Sequence, residues 1–193
     1  MNRFNNNKNI LSAIYEEQVD GLYFYGCKFT NDRELIKDCI HDVFVKLYEK
    51  EDLSSIQNMK FYLLRSLKNK LIYESIKKST KEVYDVSFSY SQEPSSDYRF
   101  DFIEDDETKQ LKFYVEKAFE NLTNKQKEAV YLYYIEELSY DEIGQMLNMN
   151  RQSVKNTVHR ALLRLRERLG DKPPSFLMLY IKLLFPTNYF YQN

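Results

Sequence analysis

The chain has 193 residues, 43% hydrophobic and 30% charged, with a formal net charge of -1. That composition belongs to a globular protein with room for one or two small domains, and no bulk charge draws it to nucleic acid. Two cysteines without a pairing framework, a polar MNRFNNNKN start and no run of about 20 apolar residues predict a cytoplasmic protein, neither exported nor membrane-spanning.

Charge is unevenly spread. Residues 1–78 carry 13 basic and 11 acidic side chains, residues 79–108 carry 2 and 9, and residues 109–170 carry 11 and 8. Two mildly basic blocks flank an acidic one. Residues 1–9 are polar and read as a frayed end. Ile10, Leu11, Ile14, Val19, Leu22, Tyr23 and Phe29 give one broad apolar side to a helix over 10–30. Asn31 or Asp32 can cap a second helix running to about Lys50. Its apolar stripe is Leu35, Ile36, Cys39, Ile40, Val43, Phe44 and Leu47, and its outer face holds Asp38, Asp42, Lys46 and Glu49. Cys39 thus reads as a core thiol. Cys27, Cys39 and His41 match no closed zinc spacing, so neither a metal nor another cofactor is expected.

After a polar loop at 51–58, a third helix is predicted over 59–78. Phe61, Leu64, Leu67, Leu71 and Ile72 face inward, and Tyr62, Arg65, Lys68, Asn69, Tyr73 and Lys77 face outward. Aromatic rings interleaved with cations can stack on unpaired bases while holding the backbone. On composition alone, a solvated basic helix fits equally well. Residues 79–108 lose the periodicity and contain SFSYSQEPSS, Pro94 and IEDDE, the composition of a flexible acidic linker.

Residues 109–121 return to a helical pattern. Thr123 and Gln126 have capping-box spacing before a helix over 124–136 that packs through Ala129, Val130 and Tyr133. Ser139 and Glu142 form a second capping box, and Ile143, Gly144, Met146 and Leu147 supply a packing face. Asn148-Met149-Asn150 makes a turn, since Asn tolerates left-handed backbone and Asn150 can cap the next helix. That helix carries an apolar stripe at Val154, Val158, Ala161, Leu162, Leu165 and Leu169. Two short helices joined by a tight turn are a helix-turn-helix.

At about 100° per residue, Gln152, Lys155, Asn156 and His159 lie opposite that stripe. Ser153 and Arg160 flank them on one side and Arg151 on the other. Such amide and basic groups can reach base edges, while flanking cations hold phosphates. Gly170, Pro173 and Pro174 end the helix, and residues 171–193 form an apolar tail of unassigned role. The expected fold is all-α: two small helical domains at 10–78 and 109–170 joined by a linker at 79–108. The second is expected to be a winged-helix-like, four-helix DNA-binding domain.

The chain resembles bacterial sigma factors of the extracytoplasmic-function type, which direct RNA polymerase to promoters. In the C-terminal block the resemblance rests on Leu122, Tyr134, Glu136, Leu138, Ser139, Tyr140, Glu142, Ile143, Val154, Lys155, Arg160 and Ala161. It implies that 109–170 is region 4, binding the −35 element through Arg151, Gln152, Ser153, Lys155, Asn156, His159 and Arg160. The run DCIHDVFVKLYEK resembles the family's polymerase-binding helix and implies core contacts at Asp38, Asp42, Phe44, Lys46 and Tyr48. The run FYLLRSLKNKLIYESIKK resembles the −10 helix of region 2 and implies contacts at Tyr62, Arg65, Lys68, Asn69, Tyr73, Lys77 and Lys78. The 51–58 loop corresponds to one that captures a flipped base.

Three departures stand out. Tyr73 and Ile76 occupy positions where the family commonly has Asp and Arg, and Glu137 and Asn148 replace glycines. The resemblance implies partners in the polymerase core enzyme, promoter DNA and an anti-sigma factor, with the tail a candidate contact. The rival reading is a conventional helix-turn-helix regulator with a sensing or dimerising N-terminal bundle. An enzyme has little support: the four glycines form no phosphate loop, and no catalytic motif is present.

Overall fold

A computed structural model describes residues 2–50, 52–78, 88 and 106–170, with side chains described for 9–50, 52–77, 88 and 113–170. All regular structure among these residues is helical: α1 (Asn2–Gly26), α2 (Arg33–Tyr48), α3 (Met59–Lys78), α4 (Asp106–Glu120), α5 (Asn124–Tyr134), α6 (Tyr140–Leu147) and α7 (Arg151–Leu169). The chain divides into two compact units, one holding α1–α3 and the other α4–α7.

In the first unit each helix packs on the other two. The end of α1 is enclosed on all sides, with every residue from Gly21 to Phe29 buried. The helix stops at Gly26 rather than running to Thr30. A Cβ at Gly26 would lie 2.7 Å from Ile36 Cγ2, so the missing side chain lets α1 and α2 approach closely. At the other end α1 begins at Asn2, eight residues earlier than its apolar pattern predicts. Asp32 caps α2 by accepting from the Leu35 amide at 3.0 Å, and Ile36, Cys39, Ile40, Val43 and Leu47 are buried. The expected members Leu35 and Phe44 are half-buried. Asp52 turns the following loop by accepting from the Ser54 amide and hydroxyl, and Asn58 accepts from Phe61 N to start α3. Leu63, Leu64, Leu67 and Leu71 are the buried face of α3, while Phe61 and Ile72 sit at its edge.

The second unit is a four-helix domain. Both predicted capping boxes are present: Thr123 with Gln126 opens α5, and Ser139 with Glu142 opens α6. Its core holds Val115, Ala118, Phe119, Leu122, Ala129, Val130, Leu132, Ile143, Val154, Val158, Ala161 and Leu165. No strand occurs among the described residues, so the domain shows no wing there.

Two features differ from the linker expected at 79–108. α4 starts inside that range, at Asp106. Phe88, in the Ser-rich stretch, is 1% exposed with its ring 5.5 Å from that of Tyr131. Burying an aromatic ring is strongly favourable, and a segment-wide composition average hides a single such residue. The remainder of 79–105, and the 171–193 tail, lie outside the described residues.

Candidate nucleic-acid interface

The geometry of α6 and α7 follows from the turn between them. Asn148 adopts left-handed backbone (φ 54°, ψ 53°), and the Met149 amide donates to Gly144 O at 2.8 Å. A Cβ at Gly144 would lie 2.5 Å from Met149 O, so only glycine lets the turn close over α6 without displacing backbone. Asn150 then caps α7, its Oδ1 accepting from Ser153 N at 2.8 Å. Val154, Val158, Ala161 and Leu165 bury one side of α7, with Leu162 and Leu169 only half-buried.

On the opposite side Arg151, Gln152, Lys155, Asn156, His159 and Arg160 are exposed on one helix. Gln152 Nε2 donates to Asn156 Oδ1 at 3.1 Å, so the two amides act as a pair. Ser153 is half-buried, and its carbonyl accepts from the Thr157 hydroxyl at 2.8 Å. Arg164 turns toward α5 instead, donating to Gln126 Oε1 at 2.9 Å.

Two features around this face were not anticipated from sequence. Arg151 Nη1 pairs with Asp141 Oδ2 across the turn. Tyr133 and Tyr140 stack with centroids 4.8 Å apart and planes 7° from parallel, with Tyr134 edge-on to Tyr133. The hydrogen bond to Tyr133, followed by burial, pushes the Tyr140 hydroxyl up to about 12. The available signal was an acidic residue in the first turn of α6 ten positions before an arginine, which periodicity within single helices does not detect.

In the first unit, Arg65, Asn69, Tyr73 and Lys77 lie exposed along α3. Tyr73 and Ile76 expose 59% and 62% of their surface at the positions where the family resemblance has a charged pair. Tyr62 is half-buried, with Lys50 Nζ 4.8 Å from its ring centroid. Lys68, expected outward, is also half-buried, its Nζ 5.8 Å from the Phe29 centroid. The side chain of Lys78 lies outside the described residues. Neither tyrosine is sealed in a core.

Among the α2 residues singled out from sequence, Asp38, Lys46 and Tyr48 are exposed. Phe44 is half-buried and packs edge-on against Tyr15 at 4.9 Å, so part of its surface serves the fold. Lys70 Nζ bridges Asp42 Oδ2 at 2.7 Å and Glu74 Oε1 at 3.0 Å. The Lys70 hydrogen bond holds the Asp42 carboxyl below its ordinary range. Beside this triad a shallow groove is lined by Asp32, Glu34, Asp38, Asp42 and Glu74.

Fold and site together define a two-module helical protein whose second module presents a helix-turn-helix with an amide and basic face. Residues 112–165 match the family described as Sigma-70, region 4. The chain is 23% identical over 159 residues to the ECF RNA polymerase sigma factor SigM of Bacillus subtilis (strain 168), covering 81% of this chain and 93% of that protein. The fold is similar to that of the sigma factor RpoE, solved in complex with the anti-sigma factor NepR from Bartonella quintana. That similarity has a TM-score of 0.54 at 19% identity and covers 83% of this chain and 98% of the other. Residues 112–165 are a sigma-70 region 4 domain. Over most of its length the chain is similar to a sigma factor of the extracytoplasmic-function type. No helix among the described residues is long and apolar enough to cross a membrane.

Proposed function

We propose that the protein is a promoter-specificity subunit that works in the cytoplasm on the RNA polymerase core enzyme and has no catalytic chemistry of its own. α7 anchors the upstream element as duplex through Arg151, Gln152, Ser153, Lys155, Asn156, His159 and Arg160. α3 captures the opened −10 strand through Tyr62, Arg65, Asn69, Tyr73 and Lys77, with Lys68 and Lys78 contributing charge. Asp38, Asp42, Lys46 and Tyr48 on α2, with the free edge of Phe44, dock on polymerase. An anti-sigma factor is an expected partner, as one was captured with the solved relative.

The observation that carries this reading is the exposed row of amides and cations on α7, held rigid by a capped, glycine-closed turn inside a region 4 domain. Each grip is small, and linkage through polymerase raises the effective concentration of the second once the first has formed. The free protein should therefore bind promoter duplex weakly, with selectivity emerging on polymerase. Co-purification with core polymerase is the test. Stoichiometric binding supports the reading. Absence of binding, together with tight sequence-specific duplex binding by the free chain, would point to a conventional regulator.

A further inference from the structure

Arg151 is the first residue of α7, and its guanidinium is held by a carboxylate from a different helix, Asp141 in the first turn of α6. Both side chains are solvent-exposed, at 67% and 57%. An ion pair this wet contributes little to stability, so its main physical consequence is geometric. It removes rotamer freedom from a long side chain that would otherwise sweep a wide arc. Asp141 is itself well anchored: it follows Tyr140, whose ring stacks on Tyr133, and the capping box at Ser139 and Glu142 fixes the same turn.

The contact uses one guanidinium nitrogen, Nη1, leaving the Nε–Nη2 edge with two parallel donors. In a helix-turn-helix the N-terminal residues of the second helix meet base edges in the major groove. Paired donors from arginine match the O6 and N7 acceptors of guanine, a pattern no other base presents there.

From this geometry we infer that Arg151 reads a guanine in the upstream promoter element and that Asp141 is the positioning residue that aims it. The inference rests on the upstream-reading role of α7 proposed above. It goes further by assigning one base and one residue outside the contact face. Gln152 and Asn156, bonded to each other, read elsewhere, and Lys155 and Arg160 supply charge.

The test is selection from a duplex library randomised upstream of a fixed −10 region, using polymerase reconstituted with the full chain. Wild type should enrich guanine at one position. Arg151→Ala should lower that preference about tenfold and leave other positions intact. Asp141→Ala should relax the same position several-fold, and Asp141→Glu should restore part of it. Because both residues are exposed, unfolding temperatures should stay near wild type. A uniform loss across all sequences in Arg151→Ala would make the contact a phosphate clamp and overturn the inference. Uniformly tighter binding in Asp141→Ala would make the pair a brake, also overturning it. Failure of wild type to enrich any upstream sequence would defeat the α7 reading and this pair with it. Enrichment that is unaltered in Asp141→Ala would defeat the positioning role alone.

Discussion

The Tyr131 hydroxyl donates to Glu136 Oε1 at 2.8 Å, with both residues buried and Phe88 against the Tyr131 ring. A buried carboxylate that loses a donor pays the desolvation of that lone pair without return, so Tyr131→Phe should destabilise the second unit by about 1–3 kcal/mol. Denaturant titration measures this, and an unchanged midpoint would mean that the bond is replaced by water. Phe88→Ala, which empties an enclosed ring site, should cost about 3–5 kcal/mol by the same assay. A loss near zero would contradict the burial of Phe88.

Glu137 and Asn148 have positive φ, at 56° and 54°, and both sit where the family resemblance has glycine. A non-glycine residue in left-handed backbone costs roughly 1–2 kcal/mol, less for Asn, and glycine returns part of this in lost chain entropy. Glu137→Gly should therefore raise stability by about 0.5–1 kcal/mol, with a smaller gain for Asn148→Gly. Gly144→Ala should go the other way, since the new Cβ meets the Met149 carbonyl at 2.5 Å. Thermal unfolding of the three variants checks both signs.

The ion pairs of Lys70 with Asp42 and Glu74 make the stability of the first unit depend on pH. Asp42 titrates lower when folded, so its contribution is present above the unfolded value of 3.8 and is lost as pH falls through the folded one. Lys70 titrates higher when folded, held up by Asp42 and then Glu74, so its contribution is full below 10.5 and fades only in strong alkali. Lys70→Met should thus lose at most about 1 kcal/mol at neutral pH, because the pair is solvent-screened. The deficit should shrink below pH 4. A deficit constant down to pH 2 would assign the loss to packing instead.

Burial pushes the Cys39 thiol up to about 11, and that of Cys27 is also raised by burial. Thiolate is the reactive form, so both should label slowly with maleimide at pH 7 in the folded chain and quickly in denaturant. Rapid labelling of the native protein would show that the α1–α2 core opens easily.

The parts of the molecule readable in its residues are those set by local rules. Two capping boxes, the Asn148 turn and the buried Val154, Val158, Ala161 and Leu165 side of α7 need only spacing and side-chain chemistry, and each has the expected geometry, whereas Ser153, Leu162 and Leu169 sit half-buried at its margins. Relationships between distant positions escaped. Phe88 is buried by Tyr131, 43 residues on, and Arg151 meets Asp141 across a turn, so no single-helix period carries either signal. Period alone places Lys68 outward, but its ammonium sits over the ring of Phe29, in the turn that follows α1. The start of α1 was hidden for a different reason: asparagine is a poor helix former, and propensity is a weak guide there.

The central claim is that α7 holds paired strands and α3 holds separated ones. Promoter complexes formed with polymerase and this chain can be followed for upstream occupancy by footprinting and for strand opening by permanganate reactivity. Lys155→Ala and Asn156→Ala should lower occupancy, whereas Tyr62→Ala should keep occupancy near wild type and lower opening. Loss of occupancy and opening together in Tyr62→Ala, to the same degree as in Asn156→Ala, would contradict the division of labour between the two helices.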